Sequence, residues 1–241
     1  MRENTGRPFL VDRRIGMNDR PSQSFFYRRS GKRALDFFAA FAGLLVLAPL
    51  LLLLAAAVKL GSRGSVLFRQ NRVGRDHQVF KMWKFRSMVC DADKKGPLIT
   101  ASGDGRVTLL GRYLRRWKLD ELPQLWNVLI GDMSLVGPRP ELPFYVRNYN
   151  QEQLEVLSVR PGITDLATLE YRNEENILAA STDRERFYTE VVLPHKLELN
   201  LQYIRTMSLR LDLMVILMTL KLIPHRASPK TAVSAGPPSS I

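Results

Sequence analysis

The feature that most constrains the fold is an uncharged apolar run of 22 residues from Phe37 to Val58. As a helix, this run is long enough to cross the hydrocarbon core of a bilayer, which is about 30 Å thick. Pro49 lies in its middle, where a proline removes a backbone hydrogen bond and kinks a helix. Asp36 borders the run, either as a costly membrane charge that needs a basic partner or as an interfacial charge at a helix end. The chain is therefore predicted to associate with a membrane.

Both flanks of this run are basic. The residues concerned are Arg28, Arg29, Lys32 and Arg33 before it, and Lys59, Arg63, Arg69, Arg72 and Arg75 after it. Basic segments beside membrane helices stay on the cytoplasmic side, so these flanks favour a helix that enters the membrane, bends at Pro49 and returns to the same face. On the residues alone, an ordinary crossing of the membrane is an equal alternative.

The charge and the cysteine content restrict the partners and the compartment. A formal net charge of +13 implies anionic partners, namely nucleic acid, an anionic membrane surface or a phosphate-rich substrate. Cys90 is the only cysteine, which excludes an internal disulfide and is compatible with a reducing compartment. The three histidines are far apart in sequence, which argues against a zinc site. A secretory signal peptide is not expected, because the apolar run starts too far into the chain and no small-residue cleavage site follows it.

We expect an α/β fold that is mostly helical, in one domain with appendages. Residues 1–29 are polar, basic and weakly periodic, which predicts a flexible arm. The membrane helix occupies 30–60, and the cytoplasmic domain occupies 61–224. The tail 225–241 is predicted to be disordered.

Within the domain, a small β element precedes a series of helices. The strands are predicted at Val66–Gln70 and Val79–Arg86, around an "NRVGRD" turn. Helical periodicity follows in "VTLLGRYLRRW" and again at Glu121–Ile130. Further helices are predicted near Leu142–Tyr149, Glu152–Leu157, Arg184–Val191 and Pro194–Thr206, and at Ser208–Ile223, which is either core or interfacial. The segment "VRPGITDL" is predicted to be a turn.

Asp120 and Glu121 form an adjacent pair of carboxylates in the apolar stretch "KLDELPQLWNV". Neighbouring carboxylates repel each other, and apolar surroundings make it costly to ionise both. One interpretation is structural, because Asp is a favoured N-cap and Glu is favourable in the first turn of a helix. The other is chemical: beside arginines, one carboxylate can attack phosphorus while its neighbour holds a magnesium ion.

Basic side chains near this pair are candidate phosphate contacts. Arg139 stands between two prolines in "GPRP", which restrict its backbone and suit a guanidinium held in place for a phosphate. The other candidates are Lys84 and Arg86 on one face of a strand, Arg112, Arg115 and Arg116 on one face of a helix, and Arg160 before a Pro–Gly turn. For each of them, a solvated face or an exposed arginine in a rigid loop is the alternative.

The order of these motifs resembles the bacterial sugar transferase family, the small monotopic phosphoglycosyl transferases that begin polysaccharide and glycan assembly. The resemblance rests on the basic-flanked apolar run with its central proline, "FRQNRVG", "FKMWKFRSM", "GRYLRRWKLDELPQLWNVLIGDMSLVGPRP" and "VRPGIT". It extends from Lys32 to Ile223, and its most specific part is Gly111–Pro140.

The resemblance implies an enzyme that transfers a phospho-sugar from a UDP-sugar to a polyprenyl phosphate, usually undecaprenyl phosphate, and releases UMP. Asp120 would be the nucleophile, giving a covalent aspartyl-phosphosugar. Glu121, with Asp120 beside it, would bind Mg²⁺, and Arg139 would contact phosphate. The family's re-entrant helix would bend at Pro49, which places the enzyme on the cytoplasmic face of the bacterial inner membrane. The resemblance thus shifts the expectation from a crossing to a hairpin.

Three departures limit what the resemblance implies. Ala48 precedes the central proline where the family often has Ser, and Lys118 begins "KLDEL" where "SLDEL" is common. After "PGIT" the chain continues "DLATLEYRNEE", where many members have Gly and a "GR" segment, so the identity of the sugar stays open.

A nucleic-acid-binding membrane protein is a weaker hypothesis, because no nucleic-acid motif is present, and nucleic acid is not an expected partner. A degenerate membrane scaffold is another, and the intact carboxylate pair argues against it. The oligomeric state, a homodimer included, is left open.

Overall fold

The computed structural model describes residues 27–92, 96, 99–100 and 102–220. In chain order, its helices and strands are α1 (Lys32–Gly61), β1 (Leu67–Val73), β2 (Val79–Phe85), α2 (Leu109–Arg116), α3 (Gln124–Ile130), β3 (Ser134–Val136), α4 (Pro143–Val146), β4 (Gly162–Thr164), α5 (Leu166–Glu170), α6 (Glu174–Ala179), α7 (Arg184–Phe187), α8 (Leu193–Thr206) and α9 (Leu209–Thr219). Short 3₁₀ or π-helical turns cover Tyr27–Gly31, Arg75–His77, Leu119–Glu121, Gln153–Ser158 and Tyr188–Val192. The predicted tail and nearly all of the predicted arm lie outside the described residues.

The predicted membrane segment is helical over its whole length. α1 continues without a break through Pro49, and only Asp36, Ala40 and Val58 among its residues are buried. By length and composition alone, α1 is the one helix in the described part of the chain that is long and apolar enough to cross a membrane. The mostly helical α/β class is therefore confirmed, whereas the return of α1 to the same membrane face stays a prediction.

The first turns of α1 are fixed to the globular domain by polar contacts. Arg33 donates to the carbonyl oxygens of Val128 and Leu129, at 2.6 and 2.7 Å, in the last turn of α3. The carboxylate of Asp36, which is 2% exposed, accepts a hydrogen bond of 3.0 Å from the Leu135 N–H. Asp36 is thus buried near the start of α1 and connects this helix to the backbone of β3.

The last turns of α1 are fixed to the same domain. Val58 is buried in a cluster with Phe85 of β2 and Leu114 of α2. Arg86 donates from Nη2 to the carbonyl oxygens of Val58 (3.3 Å) and Ser62 (2.7 Å), which occupies carbonyls that a helix end leaves without partners. Both ends of α1 therefore contact one domain, and the helix lies along its side.

The strands β1 and β2 form an antiparallel hairpin. The first strand was predicted at Val66–Gln70, but pairing continues to Val73, opposite Val79. The extension has a tertiary cause, because the Val73 N–H donates to the carbonyl of Glu141 on the other side of the strand. The turn is therefore later in the chain than predicted, while the second strand agrees with its prediction to within one residue.

The strands β3 and β4 form a parallel pair that joins two distant parts of the chain. Ser134 pairs with Gly162 and Val136 with Thr164. The prediction that "VRPGITDL" is only a turn is wrong, because its middle forms β4. A strand of three residues is too short to show the alternation of side chains on which a strand prediction depends. This pair orients the "GPRP" loop that follows β3.

The main hydrophobic core lies among α5, α8, α9 and the loops that they cover. Tyr203 of α8 is fully buried, and its hydroxyl donates to Asp212 of α9 at 2.6 Å. Asp212 also accepts from Tyr27 at 2.5 Å and forms an ion pair with Lys32 at the start of α1. Tyr27 and Lys32 thus connect the beginning of the described chain to its last helix. The apolar segment Ser208–Ile223, as far as it is described, contributes to the core through α9.

Candidate active site

The carboxylate pair lies in a tight turn between two helices. Asp120 and Glu121 belong to the 3₁₀ turn that follows α2, and the residue before this turn, Lys118, has a left-handed backbone with φ of 55°. α3 begins only at Gln124, after Pro123 at its N-cap. The interpretation of Asp120 as an N-cap is therefore wrong. The turn instead buries both carboxylates, which are 6% and 9% exposed.

Glu121 is held by two basic side chains. Lys84 of β2 donates from Nζ to Glu121 Oε1 at 3.0 Å. Arg139 donates from Nη1 to Oε2 at 3.3 Å and from Nη2 to Oε1, so the guanidinium contacts both carboxylate oxygens. Although burial alone raises the pKa of Glu121, the positive charges of Arg139 and Lys84 outweigh it and hold that pKa well below its usual range. Glu121 is therefore a fixed negative charge.

Asp120 has the opposite environment. Burial raises the pKa of its carboxyl group, and the charge of Glu121 raises it further, against the opposing effect of Lys84 and Arg115. Among the described residues, its buried Oδ1 has no hydrogen-bond partner. One oxygen of Asp120 thus retains its lone pairs for a group that is not part of the chain. A desolvated carboxylate of this kind is suited to act as a nucleophile.

The two basic residues that contact Glu121 are partly buried. Burial lowers the pKa of the Lys84 ammonium, against the pull of Glu121. Glu121 is the main cause of the raised pKa of Arg139. Both cations contact Glu121, the residue next to Asp120, so an anionic phosphate that approaches Asp120 would meet N–H donors that are already oriented.

The arginine face of α2 is divided. Arg115 forms an ion pair of 2.5 Å with Glu175 of α6, and its charge lowers the pKa of Asp120, so it lies near the pair. Arg112 and Arg116 are exposed. The helical spacing correctly predicts neighbours on the helix, but only Arg115 faces the carboxylates.

Two other predicted phosphate contacts lie away from Asp120. Arg86 is the residue after β2, and its Nη2 caps the end of α1, also binding Ser62 Oγ at 2.8 Å. Arg160 donates from Nε to the carbonyl of Gly131 at 2.9 Å, at the end of α3. The structure therefore brings together Lys84 and Arg139, and does not bring Arg86 or Arg160 to the carboxylates.

Sequence reasoning missed Gln124. Its side chain is fully buried, and in the described part of the chain neither Oε1 nor Nε2 of its carboxamide has a hydrogen-bond partner. A buried amide without partners costs roughly 1–3 kcal/mol, so a position of this kind is unusual in a structural role. Asp120 lies in a 3₁₀ turn and Gln124 is the first residue of α3, so no regular helical spacing marks Gln124 as a neighbour of the pair.

A second missed group lies behind Arg139. Glu141 accepts a hydrogen bond of 2.6 Å from the Tyr188 hydroxyl, and it forms an ion pair of 3.4 Å with Arg72. Burial lowers the pKa of Arg72, and the nearby charge of Arg139 lowers it further. Arg72 was interpreted only as a basic flank of the membrane segment. No local pattern marks these residues, because distant elements bring them together.

The carboxylate pair is also the candidate magnesium site. Among the described residues, no group of three or more His, Cys, Asp or Glu side chains could hold a metal ion. Mg²⁺ is often bound by only one or two carboxylates, with water and substrate phosphates completing its ligands. Asp120 Oδ1 is available for such a role, whereas both oxygens of Glu121 contact basic side chains. The donor set therefore fits a Mg²⁺ ion that is shared with substrate phosphates, and not one held by the protein alone.

A comparison with protein families gives one match that covers most of the chain. Residues 27–226 match the model of the bacterial sugar transferase family. The match includes α1, the carboxylate pair and the "GPRP" loop.

Individual relatives give the same result. The chain is 42% identical over 197 residues to an undecaprenyl-phosphate glucose phosphotransferase of Komagataeibacter xylinus, covering 79% of this chain and 35% of the relative. It is 38% identical over 195 residues to a UDP-N-acetylgalactosamine-undecaprenyl-phosphate N-acetylgalactosaminephosphotransferase of Aeromonas hydrophila, covering 80% of this chain and 43% of that protein. A UDP-glucose:undecaprenyl-phosphate glucose-1-phosphate transferase of Caulobacter vibrioides is 41% identical over 191 residues, or 78% of this chain and 67% of the relative. The chain thus spans less than half the length of the first two.

Proposed function

Because the chain belongs to the bacterial sugar transferase family, we propose that it transfers a sugar-1-phosphate from a UDP-sugar to a polyprenyl phosphate and releases UMP. One observation carries this proposal: Asp120 is buried with an unpartnered Oδ1 beside a Glu121 that Lys84 and Arg139 hold in place. The named relatives support the acceptor, since their names include undecaprenyl phosphate. The product is a lipid-linked sugar that begins the assembly of a polysaccharide or another glycan.

The first step uses Asp120 as the nucleophile. An Asp120 carboxylate oxygen attacks the phosphorus that bears the sugar, and the bond from that phosphorus to the oxygen shared with UMP breaks. UMP leaves with the electron pair, and the sugar phosphate remains bound to Asp120 as an acyl phosphate. Lys84 and Arg139, which contact the adjacent Glu121, would stabilise the charge that develops on the phosphoryl oxygens.

The second step transfers the sugar phosphate to the lipid. A phosphate oxygen of the polyprenyl phosphate attacks the same phosphorus, and the Asp120 carboxylate leaves. Two steps allow a soluble donor and a lipid acceptor to use one site in turn. This suits a chain with a net charge of +13, because both substrates carry several negative charges.

Mg²⁺ is part of the proposal. Asp120 and Glu121 would hold it, together with the donor's phosphates, and the ion would neutralise the phosphoryl oxygens. Glu121 would then share its oxygens between the ion and the basic side chains. The charge of Arg139 and Lys84 keeps Glu121 ionised and so able to serve as a ligand.

The membrane arrangement is proposed from α1. Both of its ends contact the same domain, through Arg33 and Asp36 at one end and Val58 and Arg86 at the other. A helix that crosses the bilayer would separate its ends by the membrane thickness, so these contacts favour one that enters and returns. Pro49 supports the bend, since it has no N–H for the carbonyl four residues earlier. We place the domain on the cytoplasmic face of the inner membrane, at the level of the lipid phosphate.

The proposal is tested by measuring UMP release from a panel of UDP-sugars with undecaprenyl phosphate and Mg²⁺. UDP-glucose and UDP-N-acetylgalactosamine are included because the relatives' names contain these sugars. We expect release with at least one donor, and its loss in Asp120→Asn. The matched control is Asp183→Asn, at an exposed carboxylate that contacts none of the site residues. Full activity in Asp120→Asn, or salt-dependent nucleic-acid binding with no UMP release, would contradict the proposal.

A further inference from the structure

The Pro-Arg-Pro tripeptide that carries Arg139 has only one backbone N–H donor. Within "PRP", Pro138 and Pro140 have no N–H, so the N–H of Arg139 is the single backbone donor of this tripeptide. That N–H donates to Asp165 Oδ2 at 2.9 Å. Asp165 is therefore the acceptor for the one backbone N–H of this tripeptide, which lies at Arg139 itself.

Asp165 is well suited to hold a backbone in place. It directly follows β4 and is fully buried. Its Oδ1 accepts a second hydrogen bond of 2.5 Å from the Thr168 N–H, which caps α5. The two oxygens of one carboxylate thus connect α5 to the loop after β3. Because the carboxylate is charged, these hydrogen bonds are stronger than bonds to a neutral acceptor.

The loop after β3 and the strand β4 are in close backbone contact beside Asp165. The Gly137 N–H donates to the Thr164 carbonyl at 3.0 Å, and the Gly162 N–H donates to the Pro138 carbonyl at 2.9 Å. A Cβ atom added to Gly162 would lie 2.1 Å from the Gly137 nitrogen, so these two segments touch through their backbones. Gly137 and Pro138 are thus hydrogen-bonded to β4, and Asp165 binds the N–H of the next residue, Arg139.

The hydrogen bond from the Arg139 backbone to Asp165 affects the site through the Arg139 side chain. Arg139, whose backbone Asp165 holds, directs its guanidinium to both oxygens of Glu121. Misplacing a group in an active site by 1 Å can lower a rate by about 100-fold. We propose that Asp165 is a positioning residue for sugar-phosphate transfer, which fixes the Arg139 backbone so that its guanidinium aligns Glu121 beside Asp120. This inference rests on the transferase function proposed above.

The position is informative because it begins the segment in which this chain departs from the common family pattern. That segment continues to Glu174 and Glu175, and Glu175 binds Arg115. Asp165 therefore gives the divergent segment a direct mechanical connection to the carboxylate pair. In this chain, a residue outside the recognisable motif completes the motif's geometry.

The test is a double-mutant cycle on UMP release under single-turnover conditions, with enzyme in excess over UDP-sugar. Asp165→Ser keeps a side-chain cap for α5 and removes the second oxygen that Arg139 uses. We expect this variant to lower the single-turnover rate by about 10- to 100-fold, with little change in the KM for UDP-sugar measured separately in the steady state. In an Arg139→Gln background, the same substitution should change the rate by less than about twofold, because the side chain that it positions is gone.

The control is Asp183→Ser, which makes the same change at the cap of α7, where Asp183 accepts from the Arg186 N–H at 3.0 Å. This variant should keep the wild-type rate. Thermal unfolding is measured for every variant, and Asp165→Asn replaces Asp165→Ser if the latter does not fold. An equal loss of rate in both backgrounds would overturn the positioning role and leave the proposed function intact. A wild-type chain that releases no UMP from any donor would overturn both.

Discussion

At the scale of single residues, the main finding is that two adjacent carboxylates have opposite environments. Glu121 contacts two basic side chains, while Asp120 is buried with one free oxygen. Neighbouring groups whose pKa values are moved apart are typical of sites where each has a separate task. In the proposed mechanism, Glu121 is the fixed charge and Asp120 is the nucleophile.

The two environments predict opposite shifts in pH dependence. Glu121→Gln removes a negative charge that raises the pKa of Asp120. Asp120 therefore ionises at lower pH, and the acidic limb of the pH–rate profile shifts to lower pH. Lys84→Met removes a positive charge that lowers this pKa, so the limb moves to higher pH. The measurement is the pH profile of single-turnover UMP release, scaled to each variant's maximum. Arg186→Gln, at an exposed ion pair, is the control with no shift, and shifts of the same sign in both site variants would contradict the account.

Arg139 also contributes to stability. Arg139→Met leaves the buried Glu121 with Lys84 as its one ion-pair partner among the described residues, and breaking a buried pair in this way costs about 3–5 kcal/mol in the free energy of unfolding. The lowered pKa of Glu121 means that this contribution is present at neutral pH and is lost as the pH falls through the folded-state pKa. The difference between wild type and variant should therefore shrink in acid.

Denaturant unfolding in detergent at neutral and acid pH measures this difference. The control is Arg205→Met, which breaks an ion pair with Glu152 whose two side chains are 61% and 65% exposed. A surface pair of this kind contributes little, so the control should be close to wild type at every pH. An Arg139→Met variant as stable as the control at neutral pH would show that Glu121 does not depend on its arginine.

At the scale of elements, the sequence predicted what local patterns encode. The apolar run gave α1, helical periodicity gave α2 and α8, and alternation gave β2. β3 and β4 were missed because each has three residues and depends on a partner far away in the chain. The same reason explains the site: the pair and Arg139 were found as motifs, whereas Gln124 and Asp165 become evident only from burial and contacts.

α1 carries the prediction that belongs to this scale. In a Cys90→Ser background, single cysteines introduced at Ser24 and at Ser65, before and after α1, should react with an impermeant reagent from the same side of the membrane. The physical reason is that both ends of α1 contact one domain. Labelling from opposite sides would mean that the helix crosses the bilayer.

The variant Pro49→Ala tests whether Pro49 causes α1 to return to the same face of the membrane. Pro49→Ala restores the backbone donor that a straight helix needs, and the apolar run is long enough to span. We expect this substitution to weaken the same-side labelling, and Pro194→Ala, at the start of α8, to leave it unchanged. Identical labelling in Pro49→Ala would show that the contacts with the domain are sufficient to return the helix.

At the scale of the whole molecule, the excess of positive charge, the apolar helix and the buried carboxylates describe one arrangement. Some of the basic residues that flank α1 bind the globular domain: Arg33 contacts α3, and Lys32 contacts α9. The charge predicted an anionic partner, but it could not distinguish nucleic acid from phosphate-bearing substrates. The site geometry and the family together favour the second.

Metal removal tests the molecule as a whole. Treatment with EDTA should abolish UMP release, and added Mg²⁺ should restore it, because two carboxylates and the donor's phosphates are the ligands expected here. The unfolding temperature of the substrate-free protein should change little, since the chain alone does not complete the site. Full activity in EDTA would contradict the role of the metal.

The central claim is that Asp120 carries the sugar phosphate between the two substrates. Its most direct test is intact-protein and peptide mass spectrometry after incubation with a competent UDP-sugar and Mg²⁺, with no polyprenyl phosphate present. The account predicts a mass increase of one sugar phosphate on the peptide containing Asp120, removed by undecaprenyl phosphate and absent in Asp120→Asn. Lipid-linked product formed with no such adduct, or an adduct on another residue, would contradict it.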